Sequence, residues 1–215
     1  MVERVYYNGE EIKVLSNVYV PSDDTFALLE EALKVVRDTD CVLEVGTGSG
    51  IISKFLSKKA KSVTATDISP YAVKNARINA VNVKAGHLFA NLAYNFDLIV
   101  FNPPYLPTLT ESYEPKDWLR KAWDGGPTGM EVIMEFLSEV TNYLTEAGKL
   151  LMVVSSLTDF RKIVTKMTDL FEEVNIVATK KFQFEALYVL LGSNKRKEEG
   201  HATVNNSLTL SNGFK

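Results

Sequence analysis

Cys41-Val42-Leu43-Glu44-Val45-Gly46-Thr47-Gly48-Ser49-Gly50-Ile51-Ile52-Ser53 decides the fold. An apolar run of strand length, Cys41–Val45, meets alternating glycines and resumes as a helical pattern over Ile51–Ser57. Glycines at such a junction allow a tight turn and let a ligand approach the backbone, with free helix N–H groups beyond. The spacing G-x-G-x-G departs from the dinucleotide fingerprint G-x-G-x-x-G, which weakens a nicotinamide reading. The Lys-Ser/Thr pair of a phosphate-binding loop is missing as well. A turn that binds nothing is the plain alternative.

Outward from this junction the rhythm stays strand, helix, strand. Strands are expected at Ser62–Thr66, near Val83, at Phe96–Phe101 and at Gly148–Ser155. Helices are expected over Pro70–Val81, from Gly129 to Leu144 and from Leu157 to Leu170. Near-continuous apolar strands alternating with helices indicate an α/β fold with a mostly parallel, doubly wound sheet. The last two strands, Glu173–Thr179 and Phe182–Leu191, are joined only by Lys180-Lys181. They must form an antiparallel hairpin, because a parallel crossover needs a far longer connection.

Ahead of the core, Asn8-Gly9 sets a hairpin of Arg4–Tyr7 with Glu11–Val14. Ser22-Asp23-Asp24 is a capping sequence for a helix over Thr25–Val36, with Phe26, Leu29, Leu33 and Val36 on one face. Residues 1–192 are expected to form one domain, 1–40 as hairpin and helix and 41–192 as core, with a polar tail over 193–215.

The 215 residues are 46% hydrophobic and 24% charged, with a formal net charge of −3, so no electrostatic footprint of a dedicated nucleic-acid binder is present. Cys41 is the single cysteine and excludes an intramolecular disulfide, as suits a reducing compartment. With two histidines and one thiol no structural zinc site is expected. No signal peptide or apolar run of spanning length is found, and a cytoplasmic protein is expected.

A second motif carries the chemistry. Phe96–Phe101 runs directly into Asn102-Pro103-Pro104-Tyr105. Two prolines remove two backbone donors and stiffen the loop, so the strand stops there. The carbonyls of Asn102 and Pro103 and the Asn102 side-chain oxygen then form a cluster of acceptors beside an aromatic ring, suited to a planar –NH2 group. Asp67, at the carboxyl end of its strand, can accept hydrogen bonds from both ribose hydroxyls of a nucleoside, or can simply begin a helix ahead of Pro70. Glu44, the glycines, Asp67 and the Asn102 cluster all fall on the edge where open α/β sheets bind ligands.

In these stretches the chain resembles the class I S-adenosylmethionine-dependent methyltransferases of the amino-methylating branch, with their Rossmann-like fold. It is most similar to the short, HemK-like glutamine methyltransferases of translation termination factors, through Pro21-Ser22-Asp23-Asp24-Thr25-Phe26 and Ala122-Trp123-Asp124-Gly125-Gly126. The resemblance spans about Val20 to Leu191. It implies S-adenosylmethionine as cofactor, held by Thr25, Glu44, Gly46, Gly48, Gly50, Asp67, Ile68, His87, Leu88 and Asn102. It implies catalysis by Asn102, Pro103 and Tyr105, and a substrate site of Asn102, Pro103, Pro104, Tyr105 and Trp123, with no metal. Where the family has an Asp beside the adenine this chain has Gly86-His87-Leu88-Phe89. The contact then falls to a ring nitrogen of His87 or to the backbone, with a surface histidine as the alternative.

The expected reaction is methylation of the side-chain amide nitrogen of a glutamine in a Gly-Gly-Gln loop. The rival substrate is the exocyclic amine of adenine in DNA or RNA, and a catalytically silent cofactor-fold subunit is the rival of another class. Glu111, Glu114 and Asp117, in the loop Leu106–Lys121, would repel a phosphate backbone. The resemblance also implies a small zinc-binding activator subunit, and the alternation of Val81, Val83 and Ala85 with Asn82 and Lys84 suits an edge strand able to receive it.

Overall fold

The computed structural model describes residues 2–108 and 117–196. The chain opens with β1 (Val2–Tyr7) and β2 (Glu10–Leu15), paired antiparallel in a separate two-stranded sheet. Asn8 and Gly9 both take positive φ, 46° and 80°, the requirement of a two-residue hairpin turn. α1 (Asp23–Val35) follows, then β3 (Cys41–Val45), α2 (Ile51–Leu56), β4 (Ser62–Asp67), α3 (Pro70–Ile78), β5 (Val83–Ala85) and β6 (Phe96–Phe101). The second half holds α4 (Glu131–Glu139), β7 (Leu144–Ser155), α5 (Phe160–Leu170), β8 (Phe171–Lys181) and β9 (Ala186–Lys195).

β3 to β9 form one seven-stranded sheet in the order β5-β4-β3-β6-β7-β9-β8. All neighbours are parallel except at β9, which runs antiparallel to both β7 and β8. Because each central strand is apolar on both faces, it feeds two cores. Leu43, Ile99, Leu150 and Met152 pack with Ile133, Phe136 and Ile163 from α4 and α5. Val42, Leu98, Val100 and Leu151 pack with Leu28, Leu29, Ile52 and Phe55 from α1 and α2, and with Ile12 and Val14 of the hairpin. The chain moves outward from β3 to β5 and returns to β6 on the other side of β3. This reversal opens a crevice at the carboxyl ends of β3 and β6.

Several boundaries differ from the sequence expectation. α1 begins at Asp23, Ser22 makes no side-chain capping bond, and the buried face is Leu28, Leu29, Ala32 and Val36, with Phe26 and Leu33 half-buried. α3 stops at Ile78, where Asn79 turns its amide onto Lys13 and Ser49 carbonyls. α4 is short and passes through a 3-10 turn, Val140–Tyr143, into β7, which starts at Leu144 rather than Gly148. A register shift there is secured by Asp97, which accepts from Thr145 Oγ1 and Cys41 N. α5 starts at Phe160, capped by Asp159. The C-terminal hairpin is antiparallel as expected, but its turn lies at 182–185, not at Lys180-Lys181, because β8 continues through both lysines. β9 continues to Lys195, past the expected boundary at 192; the tail from 197 lies outside the described residues. Among the described residues no helix is long and apolar enough to cross a membrane.

Candidate active site

The crevice between β3 and β6 is a cavity of about 440 Å³, within the range of cofactor sites. Its floor is the turn after β3. Glu44 is buried beneath it, and its Oε2 accepts from Thr47 Oγ1 (2.6 Å), from Ser53 N (2.9 Å) and from Ser53 Oγ. These bonds tie the strand end to the first turn of α2. Burial pushes the Glu44 carboxyl up to about 7, against the pull of the Ser53 and Thr47 donors. Asp67, at the end of β4, accepts from Gly48 N (2.9 Å) through Oδ2 and from Ser69 N (2.8 Å) through Oδ1. Burial raises its pKa and those backbone donors oppose the rise. Each carboxylate oxygen keeps a lone pair for a ligand hydroxyl.

Gly46, Gly48, Glu44, Asp67 and Ile68 line the cavity, and so does Thr25 from α1. Gly50 does not. It sits at φ +85°, and a Cβ there would lie 3.1 Å from Ala76 Cα and 3.0 Å from Val81 Cγ2. Its smallness is demanded by Ala76 of α3 and by Val81, which pack on the turn, while Gly46 and Gly48 face the cavity. His87 and Leu88 also line the cavity. The His87 ring is turned outward, however, with Nε2 2.9 Å from Glu135 Oε1 and the side chain about half exposed. The ring nitrogen is thus engaged with Glu135 at the surface, and the wall at this point is shared by His87 and Leu88.

The other wall is Asn102-Pro103-Pro104-Tyr105, all lining the cavity with Trp123. Asn102 Nδ2 donates to Asp24 Oδ2 at 3.0 Å. A carboxylate has no hydrogen to give, so the amide must face it with its –NH2 and send Oδ1 the other way. Among the described residues Asn102 Oδ1 is the one buried side-chain polar atom without a hydrogen-bond partner. Such an atom is expensive to bury unless something else supplies the donor. Asp24, itself buried, also accepts from Thr25 N (2.6 Å), Thr25 Oγ1 (3.1 Å) and Tyr19 Oη (3.3 Å). Burial, with Asp24 and Glu185 nearby, pushes the half-buried Tyr105 hydroxyl well above its ordinary pKa, so it stays protonated.

The stretch after the second motif is clamped from behind. Leu106 N donates to the Trp123 carbonyl and Gly125 N to the Leu106 carbonyl, both at 2.9 Å. A Cβ on Gly125 would stand 2.6 Å from the Pro104 carbonyl oxygen, which explains the small residue there. Asp124 anchors the clamp, accepting from Thr108 Oγ1, Gly126 N and Arg120 Nε. Burial pushes its carboxyl up, yet these donors win and hold it below the usual range. Trp123 is partly exposed at the mouth. Asp117 accepts from Arg120 N, whereas Glu111 and Glu114 lie outside the described residues.

Sequence reasoning missed Asp24 and Tyr19. Asp24 stood inside the quoted Pro21–Phe26 stretch, but reading Ser22-Asp23-Asp24 as a cap hid its reach across the crevice.

A parallel switch-point crevice carrying a glycine turn, an acidic strand end and an acceptor loop defines a class I methyltransferase. Residues 12–115 match the family described as Methyltransferase small domain. A putative protein N5-glutamine methyltransferase of Methanocaldococcus jannaschii is 40% identical over 189 residues, covering 85% of this chain and 94% of its own. The release factor glutamine methyltransferase of Geobacter sulfurreducens is 34% identical, over 66% of this chain and 55% of its own. Among solved structures, the E. cuniculi Mtq2-Trm112 complex, described as responsible for methylation of the eRF1 translation termination factor, matches with a TM-score of 0.68. That match is at 24% identity and covers 83% of this chain and 99% of the other. The chain belongs to the HemK-like family of class I S-adenosylmethionine-dependent methyltransferases.

The cavity suits that cofactor. It offers a buried carboxylate for hydroxyls at Asp67, exposed backbone at Gly46 and Gly48, and an unsatisfied acceptor beside them. Among the described residues no cluster of three metal-ligating side chains occurs.

Proposed function

We propose that the protein methylates the side-chain amide nitrogen of a glutamine in the Gly-Gly-Gln loop of a translation termination factor. The orphaned Asn102 Oδ1 carries the reading, since it is a fixed, buried acceptor awaiting an N–H donor. S-adenosylmethionine, when bound, supplies an electrophilic methyl group on a sulfonium. Glu44, Asp67 and the Gly46–Gly48 backbone would hold it.

The chain's part is to prepare the nucleophile. A carboxamide nitrogen has its lone pair delocalised into the carbonyl and is a poor attacker. Asn102 Oδ1 and the Pro103 carbonyl accept the two amide hydrogens, draw the nitrogen toward a pyramidal state and fix the direction of its lone pair. Tyr105 packs against the planar group. As the nitrogen takes the methyl group, which the sulfonium would give up by losing its S–C bond and leaving as a neutral thioether, it becomes positive and these acceptors gain strength. No general base is needed, because the surplus proton leaves to water afterwards.

A small zinc-binding activator is part of this reading. The support is an open edge at β5, three residues long, with Tyr71 and Ile78 of the adjoining α3 exposed, and the complexed state of the similar E. cuniculi protein. The site of action would be the cytoplasm.

The deciding experiment offers the termination factor and an adenine-containing oligonucleotide in equal amounts, at one salt concentration, with isotopically labelled cofactor. Methyl label mapped by mass spectrometry to the Gly-Gly-Gln glutamine is expected. Methylated adenine with unmodified glutamine would overturn the substrate while leaving the role of Asn102 intact.

A further inference from the structure

We infer that Asp24 is a positioning residue for the transfer, holding the Asn102 carboxamide in the orientation that leaves Oδ1 free for the acceptor's N–H. The inference rests on the proposed reading only in that the acceptor presents a planar –NH2 group.

The two residues come from elements 78 positions apart, Asp24 from the first turn of α1 and Asn102 from the end of β6. Asp24 is 5% exposed and does not need Asn102 for its own satisfaction. Thr25 N, Thr25 Oγ1 and Tyr19 Oη already donate to it. Asn102, in turn, donates one bond and leaves its other polar atom buried and unpaired. An arrangement serving the fold alone would satisfy both ends of that amide. The carboxylate instead forbids the flipped orientation, because carbonyl oxygen would then face carboxylate oxygen with no hydrogen between them.

Orientation is half of the effect. An N–H given to a carboxylate polarises the conjugated amide and places more negative charge on Oδ1, so that oxygen becomes a better acceptor. Asp24 takes no proton. Both hydrogens of Asn102 remain on Nδ2, and the proton released in the reaction comes from the methylated nitrogen.

The isosteric variant Asp24→Asn isolates this role. Its new amide can donate to Asn102 Oδ1, so the carboxamide is free to flip and the acceptor is spent inside the protein. With termination factor as substrate, Asp24→Asn is expected to lower kcat about 10²-fold, the scale of losing one preorganised hydrogen-bonding group. Affinity for S-adenosylhomocysteine, read by calorimetry, should be unchanged. In the Asn102→Ala background the same substitution should cost nothing further, a coupling that a purely structural role would not produce. A second arm needs neither substrate nor cofactor. In nitrogen-15 correlation spectra the Asn102 –NH2 pair, assigned by its loss in Asn102→Ala, should be protected from solvent exchange in the wild type and shifted in Asp24→Asn. Fast exchange of that pair in the wild type, or additive losses in the double variant, overturns the inference. Should Asp24→Asn fail to fold, the wild-type spectrum still decides. An inactive wild type would sink the proposed substrate and leave this spectral test standing.

Discussion

Asn102→Ala removes both halves of the arrangement at the end of β6, and its consequences for stability and turnover should separate. On the stability side two effects oppose. The 3.0 Å bond from Nδ2 to Asp24 is lost, worth about 1.5–3 kcal/mol for a bond to a charged group. The buried, unpartnered Oδ1 is lost as well, which relieves a desolvation cost of about 1–3 kcal/mol. Asp24 keeps its Thr25 and Tyr19 donors, so no carboxylate is stranded. The net change in unfolding free energy should therefore lie within about 2 kcal/mol of zero, as the difference of those two terms. Turnover has no such offset. Losing a preorganised group that pairs with charge in the transition state costs about 2.7–4 kcal/mol, or roughly 10²–10³ in rate. Single-turnover methylation of the termination factor, urea unfolding and calorimetric binding of S-adenosylhomocysteine measure the three quantities. A variant that loses cofactor affinity and activity together, or unfolds about 3 kcal/mol more easily, would refute the reasoning and make Asn102 a structural residue.

Asp67→Ala should weaken binding of S-adenosylhomocysteine by about 1.5–3 kcal/mol, the value of a charge-assisted hydrogen bond, and equal affinity in the calorimeter would count against a ribose contact. Gly125→Ala, whose Cβ would press on the Pro104 carbonyl from 2.6 Å, should cut turnover while cofactor affinity holds, because it displaces the acceptor loop and not the glycine turn. Undiminished turnover would show that the clamp does not position the loop. Glu44 gives a pH signature. Its carboxyl titrates near 7 in the folded protein against 4.5 as the ordinary value, so between those values the folded chain binds more protons than the unfolded one. Its stabilising contribution is complete below about 4.5 and is lost as pH rises through about 7, by up to about 3 kcal/mol. Urea unfolding of wild type against Glu44→Gln across that window should show the slope vanish in the variant; parallel curves would contradict it.

What the sequence determined by itself is local. The Asn8-Gly9 hairpin, the strand–glycine–helix junction at Cys41–Ser53 and the stop at Asn102-Pro103 are written in short-range stereochemistry, where φ preferences and missing donors act within a few residues. Apolar strands buried on both faces announced the parallel sheet, and the resemblance carried by its motifs supplied the cofactor. Boundaries slipped where packing outbid propensity, as at β7, whose start at Leu144 is fixed by pairing with Phe96 and by Asp97 bonds that no local pattern encodes. The same holds in the site. Gly50 looks like its neighbours Gly46 and Gly48 in sequence, yet only the approach of Ala76 and Val81 decides that it must stay small for packing while the other two line the cavity. His87 is claimed by Glu135, 48 positions away. Asp24 reads as a helix cap until the sheet brings Asn102 to it across 78 positions. Hydrogen bonds and close contacts between distant segments depend on distances that exist only after the core has formed, so tertiary structure alone decided which acceptor was left free.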